Sequence, residues 1–218
     1  TETIAFSTDL IINEQLNVFN LNDLKLESTT KGKAIPGKEL KASLLAEVAV
    51  DLAQQTLTVA GLKLKSGELA LSADINGTNI KDKPVFSGPI KIESFNLARF
   101  MQQISMPLPT MQSADALSKL SVSFMLNATT DSADIQKLLV ILDDTTINGS
   151  SSIKNFAKPA INFDINIDTI DVDRYLAPKK ATESNKIVAT PASAAVAGAA
   201  LFPVETLRNL NAKGQLTI

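Results

Sequence analysis

The 218-residue chain contains no cysteine and no histidine. Those two absences together remove disulfides, thiolate nucleophiles, the usual zinc ligands and the commonest general base. Lack of cysteine is compatible with an oxidising compartment without requiring one. Tryptophan is also absent, tyrosine occurs once, and aromatic residues make up 5% of the chain. Any interior is therefore built from Leu, Ile, Val, Ala and a few Phe. No charge excess stands out either. The 21 basic and 23 acidic residues are dispersed and leave a net charge of −2. The longest basic cluster, Lys179-Lys180, offers nothing for nucleic acid to grip. A long hydrophobic run is missing as well. The closest approach, Ala192 to Phe202, is mostly alanine and far shorter than the ~20 residues that span a bilayer. It reads as a flexible or weakly helical linker. No segment resembles a signal peptide. The start at Thr1 and the interrupted strand pattern at Gly214–Ile218 suggest a piece of a longer protein.

What is present is alternation. Ile161, Phe163, Ile165 and Ile167 alternate with Asn162, Asp164, Asn166 and Asp168, a two-residue period that sends the two sets to opposite faces of a strand. The phase is expected to slip at Thr169, with Asp171 capping a short helical turn that ends before Pro178. Pro89 to Phe100 repeats the device, with a phase change at Ser94 and Asn96 as the cap. Both copies share an apolar-Asx-aliphatic-x-Arg-aromatic pattern, Phe95–Phe100 and Ile170–Tyr175.

The longest regular pattern places Leu40, Ala42, Leu44, Ala46, Val48, Val50 and Leu52 on one face. At ~3.3 Å per residue this stretch reaches roughly 43 Å, which implies a broad sheet rather than a small closed barrel. Asn22-Asp23 interrupts an earlier alternation, and Gly61 marks a parity change between Val59 and Leu62. Ser66-Gly67 reads as a tight turn, with Leu69, Leu71, Ala73 and Ile75 returning as an antiparallel strand that ends at a turn on Asn76-Gly77. Lys31–Lys33 and Ile35–Gly37 also read as turns. A strand is expected over 80–86, a short helix from Ser113 with Leu117 and Leu120 inward, and strands over 122–126 and 135–142. Residues 179–200 have linker composition, and Pro203 opens a short helix carrying Leu207 and Leu210.

The expected fold is mainly β: a long, strongly curved antiparallel sheet, open or taco-like, with two or three short helices. The expected organisation is a repeated β-rich unit over 1–178, with copies near 76–104 and 148–178. A linker follows over 179–200, and the next unit starts at 201–218. Repeats of this kind add strands to one continuous sheet.

Asp143–Gly149, Ile170–Leu176 and the stretch from Pro203 to Gly214 carry a resemblance to the AsmA family of Gram-negative bacteria. It is best from about residue 135 onwards. The first unit departs from it, with Phe100 in the aromatic place and no Asp-Asp-Thr-Thr turn. The resemblance implies a periplasmic protein anchored in the inner membrane by a helix outside this sequence. It also implies a β-rich groove related to bridge-type lipid transporters and a role in outer-membrane biogenesis and phospholipid transfer. It carries no catalytic residue and no cofactor.

Read from the residues alone, Arg99 and Arg174 could meet a lipid phosphate. The plainer reading has them pairing with a carboxylate such as Asp173, or fixing the turn beside Tyr175, and it weighs more. Asp143, Asp144, Asp164, Asp168, Asp171 and Asp173 could suggest calcium, but they read as a solvated face with no loop converging their oxygens. No nucleophile or oxyanion motif accompanies them, so an enzyme is not expected. The feature that could carry function is the apolar stripe of Leu40, Leu44, Val48, Val50, Leu52, Leu69, Leu71, Ile161, Phe163, Ile165 and Ile167. It is either a closed core or an open surface for acyl chains, with phospholipid as the expected partner. The rival expectation is a scaffold for outer-membrane proteins that acts through exposed sheet edges.

Overall fold

A computed structural model describes residues 1–32, 38–178 and 211–218. The strands are β1 (Glu2–Ile12), β2 (Val18–Lys31), β3 (Glu39–Asp51), β4 (Thr56–Ser66), β5 (Leu69–Thr78) and β6 (Val85–Phe95). After helix α1 (Leu97–Gln103) come β7 (Leu120–Ala128), β8 (Ser132–Leu142), β9 (Thr145–Lys154), β10 (Ala160–Ile167) and β11 (Asn211–Thr217). A 3-10 turn, Asp173–Tyr175, follows β10. All eleven strands form one sheet in sequential order, with β1 and β11 as its two edges. Every pairing from β1 to β10 is antiparallel, and β11 joins β10 in parallel. The expectation of a mainly β, long, open sheet is met.

Alternation explains the strands, and bulges bend them. The registers of β1 through β5 all shift at one level, around Thr8, Asn22-Asp23, Ala46 and Ala60-Gly61. A bulge adds a residue to one strand, which bends it and increases its twist. Asp23 (φ 50°) and Gly61 (φ 59°) take the left-handed conformation that such a bulge requires. The backbone N–H left over at each bulge is satisfied from the next strand: Asp23 donates to Glu47 Oε2 at 3.1 Å, and Gly61 to Asp74 Oδ1 at 2.7 Å. A second group of shifts, in β7, β8 and β9, centres on Lys137 (φ 51°). The parity changes read at Asn22-Asp23 and Gly61 are these bulges.

Several local expectations are corrected. Asn76-Gly77 is not a turn, because β5 runs on to Thr78. Gly77 pairs with Phe86, and a Cβ there would stand 3.0 Å from two carbons of the Phe86 ring. That glycine makes room for an aromatic ring and does not reverse the chain. The same dipeptide at Asn148-Gly149 also lies within a strand, β9. Residues 80–84 form a loop, so the strand expected over 80–86 begins only at Val85. The helix expected from Ser113 is a series of turns, and Leu120 belongs to β7. β10 stops at Ile167, so no strand continues on the other parity past Thr169. Of the turn expected at Lys31–Lys33, Lys31 belongs to β2, and the turn at Ile35–Gly37, the linker over 179–200 and the helix at 203–210 lie outside the described residues.

The interior is thin. The buried apolar residues are Ala46, Ala73, Phe95 and Ala116, and no large side chain among the described residues is completely buried. A two-layer domain would show large aliphatic residues shut away from solvent on its inner face. Here most aliphatic side chains of β2–β10 are half-buried by their neighbours in the sheet, and those of β1 are exposed.

Candidate functional site

Register converts the separate stripes into a surface. Phe6 pairs with Leu26, Leu26 with Leu44, Leu44 with Leu64, Leu64 with Leu71, and Leu71 with Ile92. The same row continues through Val122, Val140, Ile147 and Ile167. It crosses ten strands without one polar residue. At ~4.8 Å per strand it is roughly 43 Å long. A second unbroken row runs through Ile12, Phe19, Val50, Leu57, Gly77 and Phe86, then Ala128, Ala133, Ile153 and Ile161. On β3 the two rows stand six residues apart, about 20 Å.

The opposite face differs. The row beside the first reads Ser7, Lys25, Leu45, Lys63, Ser72, Lys91, Ser123, Leu139, Asn148 and Asn166. Its lysines sit among exposed pairs such as Lys25–Glu27 and Lys91–Glu93. One face is therefore mainly apolar, with Ser28, Ser66 and Ser151 interrupting its other rows, and the opposite face is mainly polar.

Leu40, Leu44, Val48 and Val50 of β3, Leu69 and Leu71 of β5, and Ile161, Phe163, Ile165 and Ile167 of β10 all fall on the apolar face. Leu52 lies just past β3, where its N–H donates to Asn17 O at 2.7 Å. The sequence reading left Phe6, Leu26, Leu64, Ile92, Val122 and Val140 out of the lipid-facing stripe, although each alternates within its own strand. Nothing in a single strand reveals which residues line up across it, because register is a property of pairs.

One end of this face carries a polar clasp. Asp143, in the β8–β9 turn, is 6% exposed. Its Oδ2 accepts from Leu117 N–H and the Tyr175 hydroxyl, both at 2.9 Å. Its Oδ1 accepts from Lys119 N–H and the Ser118 hydroxyl, both at 3.0 Å. Burial pushes this carboxyl up, but the four hydrogen bonds outweigh it and hold the group below its ordinary value. Burial, together with the bond to Asp143, raises the Tyr175 hydroxyl to about 12. Arg174 reaches Asp144 Oδ2 and Asp115 Oδ2, each at 2.8 Å. Its bond to Asp144 raises the guanidinium further above its usual value. The Ser113 hydroxyl bonds Asp115 and lowers that carboxyl.

The structural readings of Arg174 and Tyr175 thus gain named partners, and Arg174 meets Asp115 and Asp144 rather than Asp173. Asp143 does not belong to a solvated face, which corrects the grouping of the aspartates. Asp168 is exposed and tied to the chain instead. Its Oδ1 accepts from Thr146 N–H at 2.8 Å and from Thr169 N–H, which lowers its pKa. Arg99 makes no ion pair among the described residues; its backbone N–H donates to the Asn96 cap at 2.8 Å. The described residues contain no group of three or more side chains placed to hold a metal ion, and no helix long and apolar enough to cross a membrane.

Compared with protein-family models, curated proteins and solved structures, the chain finds no match.

Proposed function

We propose that the apolar face binds phospholipid acyl chains in a periplasmic, inner-membrane-anchored protein of AsmA type, which serves outer-membrane biogenesis without catalysing a reaction. The observation that supports this is the pair of unbroken apolar rows across ten strands, in a sheet with no large side chain completely buried. Such a face gains stability from any apolar cover, at ~25 cal/mol per Å² of surface removed from water. Each acyl CH₂ contributes about 0.8 kcal/mol on the same scale. Chains lie against the rows, and headgroups stay at the wet rim.

The test is native mass spectrometry of the purified protein with lipid extraction and identification. Phospholipid is expected to co-purify. Val48→Asp and Ile165→Asp should each abolish it, while Ala49→Asp on the opposite face should leave it in place. Protein that is lipid-free, and stays so when offered phospholipid vesicles, overturns the reading.

A second reading rests on the β1 edge. Ile4, Phe6, Leu10 and Ile11 are 63, 62, 55 and 56% exposed along a strand that pairs on one side only. An open edge of this kind accepts an added strand, which suits a scaffold for unfolded outer-membrane proteins. Binding of such a protein without lipid uptake would favour it.

A further inference from the structure

The two ends of the apolar face are built differently. At one end the connections are all short, at 13–17, 52–55, 79–84, 129–131 and 155–159. Apart from Gly77, the residues of the row there, Ile12 through Ile161, are half-buried or exposed. At the other end β6 and β7 are joined by residues 96–119, which include α1. The last row at that end over β6–β9 is Phe95, Leu120, Leu142 and the polar Thr145. Phe95 is 8% exposed, Thr145 4%, and Ala116 of the connection 2%. Here, then, a segment of chain covers the face.

That cover is held by polar contacts. Gln112 N–H donates to Leu176 O at 2.7 Å, Ser113 N–H to Arg174 O at 3.2 Å, and Ala98 N–H to Leu117 O at 3.0 Å. Asp143 takes Leu117, Ser118 and Lys119, and Arg174 takes Asp115. Apart from Ala116, no residue of 104–119 is buried, and Ile104, Met106 and Leu108 are 44, 50 and 36% exposed. Hydrogen bonds exchange with water at a net cost near 1 kcal/mol each. A segment fastened mainly by them can detach while the β-sheet ladder stays intact.

We propose that residues 104–119 are a strap that closes one end of the acyl-binding face, and that the Asp143–Arg174–Tyr175 clasp is its latch. The inference rests on the acyl-binding reading above and adds to it a direction: chains lie along the rows and leave past the strapped end, which they pass only when the latch opens. Latch opening therefore sets the rate at which lipid leaves.

The absence of cysteine allows a direct test. Gln112→Cys/Leu176→Cys joins two positions whose backbones are directly hydrogen-bonded, Gln112 N–H to Leu176 O at 2.7 Å. Arg174→Gln weakens the latch without touching the apolar rows. Each form is loaded with a phosphatidylcholine bearing a pyrene acyl chain, and its release to acceptor vesicles is timed. Hydrogen exchange over 112–119 reports the latch independently. The oxidised double variant should bind the same amount of probe and release it about tenfold more slowly, with reductant restoring the rate. Arg174→Gln should release it several-fold faster and exchange faster over 112–119. Release that is unchanged by oxidation or by Arg174→Gln, in protein that does bind the probe, overturns the strap alone. Should the disulfide fail to form, Arg174→Gln decides by itself. A probe bound by no form overturns the acyl-binding reading, and the strap's role with it.

Discussion

Two regions of this sheet close with the same sequence pattern and with different chemistry. After β6, Asn96 caps α1 through the Arg99 N–H, and Phe100 meets Phe95 edge to face at 5.6 Å. Gln103, at the end of that helix, accepts from Glu68 N–H in the β4–β5 turn at 3.3 Å. After β10, Val172 rather than the expected Asp171 stands at the cap and makes no side-chain cap bond, Arg174 N–H lies 3.4 Å from Asp171 Oδ1, and the helical turn is only three residues long. There the β8–β9 turn supplies Asp143 and Asp144, which hold Tyr175 and Arg174. Both helical segments thus return to the turn that joins the two preceding strands, β4–β5 in one case and β8–β9 in the other. In one case a side-chain cap and an aromatic pair do the fastening, and in the other a buried carboxylate does. The shared arginine is fastened only where the turn beneath it carries aspartates. A sequence repeat need not be an energetic repeat.

If that contrast is right, Asp143 is the most sensitive position in the molecule. Asp143→Ala leaves two backbone N–H groups and two hydroxyls without their acceptor. A buried polar partner lost this way costs about 3 kcal/mol or more. For a chain of this size that lowers the thermal midpoint by roughly 10 °C, measurable by calorimetry. A loss below about 1 kcal/mol would mean that the clasp is ornamental and the two regions are equivalent.

The second effect is on pH. The Asp143 carboxyl is held below its ordinary value, so the folded state binds fewer protons there than the unfolded state. Its contribution is complete above the ordinary carboxylate range and disappears as pH falls through that range towards the lowered value. Asp115 and Asp168 act in the same direction. Tyr175 has the opposite sense. Its hydroxyl is raised to about 12, so its contribution is complete below about 10 and is lost as pH climbs from there to about 12. Hydrogen exchange over 112–119 should therefore be slowest on a plateau between about pH 5 and 9, after correction for intrinsic rates, and should rise on both sides. The first region, fastened by Asn96 and two phenylalanines, should show no such profile over 97–103.

Much of this fold was legible in the chain, because two-residue alternation is a strong signal and bulges announce themselves as slips of phase. Register was not legible. Asn76-Gly77 has the composition of a tight turn, and only the ring of Phe86 on the neighbouring strand explains why glycine stands in mid-strand. The clasp was half legible. Arg174 and Tyr175 stood out as a motif, but Asp143 sat in an Asp-Asp-Thr-Thr turn that resembles any solvated loop. Its burial depends on Leu117, 26 positions away, and Tyr175, 32 away. No local pattern carries that information. The apolar face was legible strand by strand, and its continuity was not.

A smaller effect tests the first region from its own side. Asn96→Ala removes the side-chain oxygen that accepts the Arg99 N–H. Caps of this kind contribute about 1 kcal/mol. The loss should appear as faster exchange over 97–103, with that over 112–119 unchanged. Coupled loss in both segments would mean that α1 and the latch form one unit rather than two.

The smallest effect separates the two arginines. Arg99 and Arg174 occupy the same place in the pattern, so a sequence repeat alone predicts equal roles. Arg99 makes no ion pair among the described residues, whereas Arg174 is 15% exposed at its side chain and reaches carboxylates on two separate segments. Replacing an exposed side chain that holds no partner changes stability by about 0.5 kcal/mol or less. Arg99→Gln should accordingly leave the thermal midpoint and the exchange over 97–103 within error, while Arg174→Gln speeds exchange over 112–119. Its helix keeps the Asn96 cap, because that bond uses the backbone of residue 99 and not its guanidinium. An Arg99→Gln protein as loose as the Arg174→Gln protein would restore the symmetry of the two regions. The aspartates of the β8–β9 turn would then not be what distinguishes them.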